Sequence, residues 1–308
     1  MLAQIWIVTG QVLTLFLMIG VGFAISRLKK IKDSSIPDIT WLMTRVSLPC
    51  AIIRSLMVDN SPEFLRSISY AFVVITVITL AAAFLSQLCY RKRAKEQRTV
   101  LQMGMVYGNS AFMGIALVQA VLGEGAVIYA TLIVIVETIL MLLQCELTMS
   151  EGKPSIRKAL LTPGVIGFVI GMTRLLLNIK LPAPITSTIT TMSGMNTPLA
   201  MIIVGMQMGK VDLRTIFTQK DLYSCALFKL VLQPAALSLL LLPVGLAPIA
   251  YSTIVICKGT TQAAVIAAYA QDHGQDAVLG SQLIALTSIL QILTLPLIAV
   301  LARVLGGF

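Results

Sequence analysis

Ten stretches of the chain, each about 20 residues long, consist almost entirely of apolar side chains, and a helix of that length spans the hydrocarbon core of a bilayer. Lipid offers the backbone no hydrogen-bond partners, so each stretch must be helical. We number them as spans 1 to 10: residues 5–26, 38–58, 67–90, 99–121, 125–149, 160–178, 183–208, 221–242, 246–270 and 277–304. Only 12% of the residues are charged, against roughly 25% in a soluble domain. The sequence therefore predicts an all-α membrane protein with ten transmembrane helices, and excludes a soluble enzyme or nucleic-acid binder.

The loops between the spans carry most of the basic residues, and they differ strongly between the two sides. Loops after spans 1, 3, 5 and 7 contain 15 Lys and Arg residues, whereas the opposite side contains 3. The larger group is Arg27, Lys29, Lys30, Lys32, Arg91, Lys92, Arg93, Lys95, Arg98, Lys153, Arg157, Lys158, Lys210, Arg214 and Lys220; the smaller is Arg66, Lys180 and Arg303. Because basic loops remain in the cytoplasm, we expect a multi-pass protein of the cell membrane with both termini outside the cytoplasm. The same pattern explains the net charge of +10 without a nucleic-acid partner.

The sequence offers no pattern typical of a metal, cofactor or catalytic centre. Its cysteines are Cys50, Cys89, Cys145, Cys225 and Cys257. Each lies in or beside an apolar stretch, without the CxxC or His spacing of a metal site. The spans also contain no cluster of His, Asp and Glu and no Ser/His/Asp set. We therefore expect neither a cofactor nor an enzyme activity.

Two halves of the chain share a short pattern. Pro49 in span 2 and Pro198 in span 7 each precede small and aliphatic residues, and they lie 149 residues apart. At the same offset, Gly22 in span 1 matches Gly171 in span 6. The copies would be residues 1–152 and 153–308. Because each copy has an odd number of spans, five, the second copy enters the membrane in the opposite orientation to the first. Such inverted repeats are typical of secondary transporters, whose site lies at the repeat interface. Chance is the alternative, since a proline before aliphatic residues is common in membrane helices.

Spans 4 and 9 occupy equivalent places in the two copies, and both contain helix-weakening residues. These are Gly108, Asn109, Ser110 and Gly114 in span 4, and Gly259, Thr260, Thr261 and Gln262 in span 9. A broken helix is tolerated in a membrane only where it lines a cavity or is buried in protein. Unwound halves would direct backbone N–H groups at an anion and leave carbonyl groups for a cation. Close packing of helices through small residues is the alternative explanation.

Several motifs resemble those of one known family. They are Leu48-Pro49-Cys50-Ala51, the segment from Asn109 to Leu117, Thr197-Pro198-Leu199-Ala200 with Gly205, and Lys229-Leu230 with Pro234. In this order the motifs resemble the auxin efflux carrier family, whose bacterial members are often called malate or malonate permeases. The resemblance extends over the whole chain. Its motifs are short and moderately specific.

The resemblance implies a fold and a mechanism. It implies two inverted five-helix repeats, a scaffold domain from spans 1, 2, 6 and 7, and a moving domain from spans 3 to 5 and 8 to 10. It also implies elevator-type transport of organic anions by a homodimer that forms through the scaffold. The chain departs from the family at Gly108 and Thr261, where a crossover proline is usual, and at Ala116, where a second proline is common. Glycine at position 108 still allows span 4 to break.

Basic residues also occur inside the spans. Snorkelling to the membrane surface explains those nearer to span ends, namely Arg45, Arg54, Arg174 and Lys229. Lys258 lies twelve residues into span 9, roughly 18 Å deep, and Glu137 lies at a similar depth in span 5. We expect these two residues to form an ion pair beside the crossover, where a substrate carboxylate could share or replace Glu137. A purely structural buried pair is the alternative.

These features favour a carrier of a small mono- or dicarboxylate that works by alternating access. The predicted substrate-binding residues are Asn109, Ser110, Glu137, Lys258, Thr260, Thr261 and Gln262, and the predicted crossover or hinge residues are Pro49, Gly108, Gly114, Pro198 and Gly259. A cation/proton antiporter of related fold is the nearest alternative, although span 4 offers Asn109 where antiporters need acidic residues. A membrane metabolite sensor is a third. Proton coupling and uniport both remain open.

Overall fold

The structure, a computed structural model, describes residues 2–58, 61–148, 161–210, 219–263 and 265–307. Its α-helices, α1 to α15, are Leu2–Arg27, Ile36–Leu42, Leu48–Ser55, Pro62–Ser86, Lys95–Val106, Ile115–Leu122, Val127–Thr148, Pro163–Leu176, Ala183–Gly194, Asn196–Lys210, Lys220–Leu227, Gln233–Leu240, Pro248–Lys258, Val265–Asp272 and Ala277–Gly306. Five-residue π-helical turns occur at Met43–Ser47, Ser110–Gly114 and Phe228–Leu232. Short 3-10 turns occur at Asp33–Ser35, Glu124–Ala126 and Leu242–Val244.

The all-α prediction is confirmed, and several helices have the length and composition of membrane spans. Six are long and apolar enough to cross a membrane, namely Ile36–Ser55, Pro62–Ser86, Glu124–Cys145, Ala183–Lys210, Lys220–Val244 and Ala277–Gly306. Four shorter apolar helices are Leu13–Arg27, Ser110–Leu122, Pro163–Leu176 and Pro248–Lys258. Each predicted span overlaps one of these helices, with ends that differ by a few residues in most cases. The boundary between the two copies at residues 152 and 153 and the basic residues Lys153, Arg157, Lys158 and Arg214 lie outside the described residues.

Helix starts and turns follow the local sequence. Pro62, Pro163 and Pro248 each stand within the first two positions of a helix, where the missing N–H costs no hydrogen bond. Gly123 adopts a φ of +87° between α6 and the next helix, a backbone conformation that side chains with a Cβ disfavour. Proline starts and this glycine turn therefore set where spans 3, 6 and 9 begin and where span 4 ends.

Glycines bring two pairs of helices into unusually close contact. A Cβ on Gly22 of α1 would collide with the carbonyl of Ile202 in α10, and Gly205 of α10 lies equally close to the backbone of α1. In the other pair, a Cβ on Gly171 of α8 would lie 2.7 Å from Cδ1 of Leu56, at the end of α3. Small residues at such interfaces allow the backbones to approach, which is how membrane helices associate. Spans 1 and 7 therefore form one close pair, and spans 2 and 6 another.

The broken spans 4 and 9 lie at the centre of the protein. Residues 99–106 of α5 and residues 250–258 of α13 are all buried, whereas α4 exposes large apolar side chains such as Phe84. The two halves of each broken span belong to different apolar clusters: α5 and α14 pack in one, α6 and α13 in the other. The breaks therefore lie where the two clusters meet, enclosed by protein.

Candidate functional site at the crossover of spans 4 and 9

Both breaks predicted from the sequence are present. Span 4 consists of Lys95–Val106, an extended segment and then Ser110–Leu122, and span 9 consists of Pro248–Lys258, an irregular segment and then Val265–Asp272. The prediction that both spans are interrupted helices is therefore confirmed.

The two breaks lie against each other and exchange backbone hydrogen bonds. Gly108 and Gln262 form an isolated antiparallel bridge. The flanking bonds run from the Asn109 N–H to the Thr261 carbonyl at 2.7 Å and from the Ala263 N–H to the Tyr107 carbonyl at 3.2 Å. Buried backbone groups need partners, and each break supplies some of those that the other lacks. Neither break is therefore a free loop, because each depends on the position of the other.

Glycine suits the crossover because the neighbouring side chains leave little room for a Cβ, least of all at position 108. A Cβ on Gly108 would lie 2.7 Å from Oγ1 of Thr260. A Cβ on Gly114 would lie 3.1 Å from Sγ of Cys257, and one on Gly259 would lie 3.2 Å from a methyl group of span 10. Proline would clash at position 108 for the same reason as alanine. This chain therefore has glycine, and not the usual crossover proline, at a position where the packing is tight.

The ion pair expected between spans 5 and 9 is present behind the first break. The Lys258 ammonium lies 2.6 Å from Oε1 of Glu137 and donates a second hydrogen bond to Oγ1 of Thr79, at 3.0 Å. The other carboxylate oxygen of Glu137 accepts a hydrogen bond from the Ser110 hydroxyl at 2.7 Å. Side chains of both charged residues are at most 5% exposed. The carboxylate thus joins the first residue after one break to the last residue before the other.

A second buried lysine lies at the crossover, and the interpretation of Lys229 as a snorkelling residue is wrong. Its side chain is 0% exposed. The ammonium donates to the Val106 carbonyl and to Oε1 of Gln233, each at 3.2 Å. Depth along the span suggested that Lys229 could reach the membrane surface, but its side chain extends from the π-helical turn Phe228–Leu232 into the protein.

Two other basic residues of the spans, Arg54 and Arg174, lie near helix ends and have local partners. Arg54 forms an ion pair with Glu124 at 3.5 Å. Arg174 donates to the Val58 carbonyl at 2.9 Å. Both pairs are at least partly exposed. Their contacts are consistent with a position near the membrane surface.

A small cavity of about 60 Å³ opens beside the first break. Its walls are Tyr107, Gly108, Asn109, Ser110, Ala111, Phe112, Val134, Glu137, Thr138, Met141, Ala263 and Val265. A volume of this size holds a few water molecules or a group of a few heavy atoms. Nearly all of its polar lining comes from the break in span 4 and from Glu137 in span 5.

The remaining predicted substrate-binding residues are buried but make other contacts. The Thr260 hydroxyl donates to the Cys257 carbonyl at 2.7 Å, and the Thr261 N–H donates to Oε1 of Gln291 at 3.0 Å. Oε1 of Gln262 accepts a hydrogen bond from the Thr287 hydroxyl at 2.5 Å. Thr260, Thr261, Gln262 and Lys258 are not among the residues that line the cavity. Their observed contacts maintain the shape of the second break.

Two of the predicted hinge residues lie away from the crossover. Pro49 lies in the first turn of α3, directly after the π-helical turn Met43–Ser47. Pro198 lies in the first turn of α10, after a break between α9 and α10 at Met195. Spans 2 and 7 are thus irregular near these prolines, and their role as hinges stays a prediction.

Four residues at the crossover were missed: Thr79 of span 3, Lys229 of span 8, and Thr287 and Gln291 of span 10. Each is a polar side chain within an apolar stretch, and each is completely buried. A polar residue deep in a span is the signal that could have identified them. The sequence alone did not reveal that their helices turn those side chains toward spans 4 and 9.

Comparison with known proteins identifies the family of the chain. Among curated proteins, none is similar enough to the chain to count as a match. The family model described as membrane transport protein matches residues 7–155 and 146–299. Because these matches cover nearly the whole chain, the protein belongs to the membrane transport protein family, which is the auxin efflux carrier family that the sequence resembles.

Proposed function

We propose that the protein is a secondary transporter that moves a small organic anion across the cell membrane by elevator-type alternating access. The observation that carries this proposal is the charge balance at the crossover. Among the described residues, the fully buried charged side chains are Lys229, Lys258 and Glu137. Two ammonium groups thus accompany one carboxylate beside a cavity.

Excess positive charge in a buried place favours an anion. Burying an unpaired charge is costly unless it is neutralised by a partner or by loss of its proton. Glu137 already pairs with Lys258, so a carboxylate entering the cavity would balance the second ammonium. The helical segment that starts at Ser110 presents its N-terminal turn to the same cavity, and the partial positive charge of that end adds to the attraction.

The dimensions of the cavity favour a small carboxylate. A volume of about 60 Å³ accommodates a carboxylate group with a short chain, and the apolar residues Phe112, Val134 and Met141 contribute to its walls. We expect the substrate to be a mono- or dicarboxylate such as malate or malonate, or the acidic end of an auxin-like molecule. In the proposed complex, Asn109 and Ser110 bind the carboxylate, and Lys258 contacts it when Glu137 yields its position.

The packing supports a division into scaffold and moving domains. The close glycine contacts join span 1 to span 7 and span 2 to span 6, which are the spans assigned to the scaffold. The polar bonds of the crossover instead reach Thr79 in span 3, Glu137 in span 5, Lys229 in span 8 and Gln291 in span 10. Spans 3 to 5 and 8 to 10 are thereby tied together around the site, as a body that moves as one requires.

Equivalent contacts at the two breaks support an inverted repeat. Glu137 of span 5 accepts a bond from Ser110 after the first break. Gln291 of span 10 accepts one from Thr261 within the second break. Spans 5 and 10 are the last spans of their copies. We infer that the copies are inverted, with both termini outside the cytoplasm, and that the protein forms a homodimer through the scaffold spans.

The test is counterflow of labelled malate, malonate and indole-acetate in proteoliposomes, with and without a pH gradient. We expect uptake of at least one of these acids, and acceleration by the gradient would indicate proton coupling. Lys180→Ala, an exposed loop variant, is the matched control for Lys258→Ala. Cation/proton exchange without anion uptake would favour an antiporter, and binding without uptake would favour a sensor; either result would contradict the proposal.

A further inference from the structure

Lys229 occupies a position that none of the substrate contacts requires. It extends from the π-helical turn Phe228–Leu232 of span 8, and its ammonium would lie 3.3 Å from a Cβ on Gly108. It is completely buried and is not among the residues that line the cavity. A role other than direct contact with a ligand in that cavity is therefore needed to explain it.

The ammonium lies where the first half of span 4 ends. The last carbonyls of a helix lack intrahelical partners and carry the negative end of its dipole. The Val106 carbonyl, which ends α5, accepts one bond from Lys229, and Oε1 of Gln233 accepts another. The next carbonyl, that of Tyr107, is bonded to the Ala263 N–H across the crossover. Lys229 thus provides the hydrogen bond that the last carbonyl of α5 lacks within the helix.

The acceptors around Lys229 are of the kind that bind free cations. They are a backbone carbonyl oxygen and an amide oxygen, and broken membrane helices use the carbonyls at such ends to coordinate Na⁺. The second break has a comparable arrangement, because Lys258 at the end of α13 is bonded to oxygen atoms of Thr79 and Glu137. Each broken span therefore has an ammonium near the end of its first half.

We propose that Lys229 is a built-in cation: its ammonium fills an oxygen-lined cation position at the end of α5 and thereby holds the first break in the shape that presents Asn109 and Ser110 to the cavity. Lys229 is a positioning residue in this proposal. Gln233, one helical turn further along span 8, orients the ammonium toward the Val106 carbonyl. The protein then has no need of a free monovalent cation at this break. The proposal stands on the geometry of the break alone and does not depend on which substrate is carried.

The experiment removes the tethered ammonium and offers a free one. The full-length protein in detergent is compared with Lys229→Ala, which vacates the position, and Lys229→Met, which fills it with an uncharged chain of similar length. Melting temperature is measured during titration with sodium chloride or methylammonium chloride, with choline chloride at the same ionic strength as the reference. Hydrogen–deuterium exchange is followed at the amides of Asn109 and Ala263. Lys180→Ala serves as a control for loss of a lysine.

We expect Lys229→Ala to melt at a lower temperature in choline and to recover, in a saturable manner, with sodium or methylammonium. The wild type and Lys229→Met should show no such response. In Lys229→Met, exchange at the crossover amides should be about tenfold faster, the effect of losing hydrogen bonds to a charged group. If the cations leave Lys229→Ala unchanged, the proposal fails. If Lys229→Ala does not fold, wild-type exchange rates in Lys229→Met would overturn it equally.

Discussion

The two breaks of the crossover have similar sequences but different surroundings. The break in span 4 faces a cavity, to which Asn109 and Ser110 contribute polar groups. The break in span 9 faces protein, and its Thr261 and Gln262 are bonded to side chains of span 10. Among residues 259–263 of the second break, only Ala263 lines the cavity. Two equivalent interruptions of a helix can therefore serve different purposes, one open to a ligand and one closed.

The neighbouring span decides which break is open. Span 5 presents the carboxylate of Glu137 to the first break, and this carboxylate is held by Lys258 from the other side. Span 10 presents the neutral amide of Gln291 to the second break. A neutral amide forms hydrogen bonds with backbone groups without adding charge. A charged pair, in contrast, creates a site whose charge balance a ligand can change.

The largest expected effect comes from dividing the charged pair behind the first break. Lys258→Met leaves Glu137 charged and buried, and loss of one partner of a buried pair costs about 3–5 kcal/mol of folding stability. Lys258→Met with Glu137→Gln removes both charges, so most of that loss should be recovered. Melting in detergent measures both variants. Equal destabilisation of the single and double variants would show that the two charges are not coupled.

The next effect tests whether the first break is the open one. Asn109→Ala should lower the affinity for the transported acid by about tenfold or more, the effect of one lost hydrogen bond to a charged group. Its melting temperature should change little, because its backbone bond to Thr261 is retained. Isothermal titration with the acid identified by counterflow measures the affinity. Unchanged affinity in Asn109→Ala would place the ligand elsewhere.

A third effect probes the contact between the two breaks. Gly108→Ala brings a methyl group to 2.7 Å from Oγ1 of Thr260, and such overpacking costs about 1–3 kcal/mol. Adding Thr260→Ala removes the opposing atom and should restore part of the stability, whereas Thr260→Ser should not. Gly20→Ala, at a glycine of α1 with no atom within 4 Å of its Cβ position, is the control and should melt no lower than the wild type. An equal effect of the Ala and Ser changes at Thr260 would contradict the close contact.

The smallest effect should come from the closed break. In Gln262→Ala the hydroxyl of Thr287 loses one acceptor and can donate its hydrogen to the Leu283 carbonyl instead. We therefore expect a loss of about 1 kcal/mol in stability, with the affinity for the acid unchanged. Melting and titration together measure this. A loss of affinity comparable to that of Asn109→Ala would show that both breaks bind the ligand.

Local sequence signals predicted much of this arrangement. The apolar spans, the glycine-rich breaks and the pair of Lys258 with Glu137 could each be read from composition and depth, since lipid penalises broken backbone and charge strongly. The rotation of each helix about its own axis could not be predicted from these signals. Whether Gln262 faces the cavity or span 10 depends on tertiary packing, which spacing along one helix does not determine.

Lys229 shows the physical reason most clearly. Its distance from the end of span 8 predicted a side chain that extends to the surface, and that estimate assumed a regular helix. Lys229 instead lies within the π-helical turn Phe228–Leu232, and its side chain points into the protein. Such turns are frequent at functional sites, and the sequence carries no reliable signal for them.

The count of buried charges also has an electrical consequence. If the two buried lysines and Glu137 carry their charges, the interior of the proposed moving domain holds two positive charges against one negative charge, and a bound monoanion would balance them. The membrane potential, worth roughly 2.3 kcal/mol per charge per 100 mV, would then act on the return of the empty carrier and leave the loaded step nearly untouched. A negative cell interior would hold the vacant site facing inward and so favour export. Currents recorded on solid-supported membranes would reveal this asymmetry. They should be larger for the transition of the empty carrier than for that of the loaded carrier.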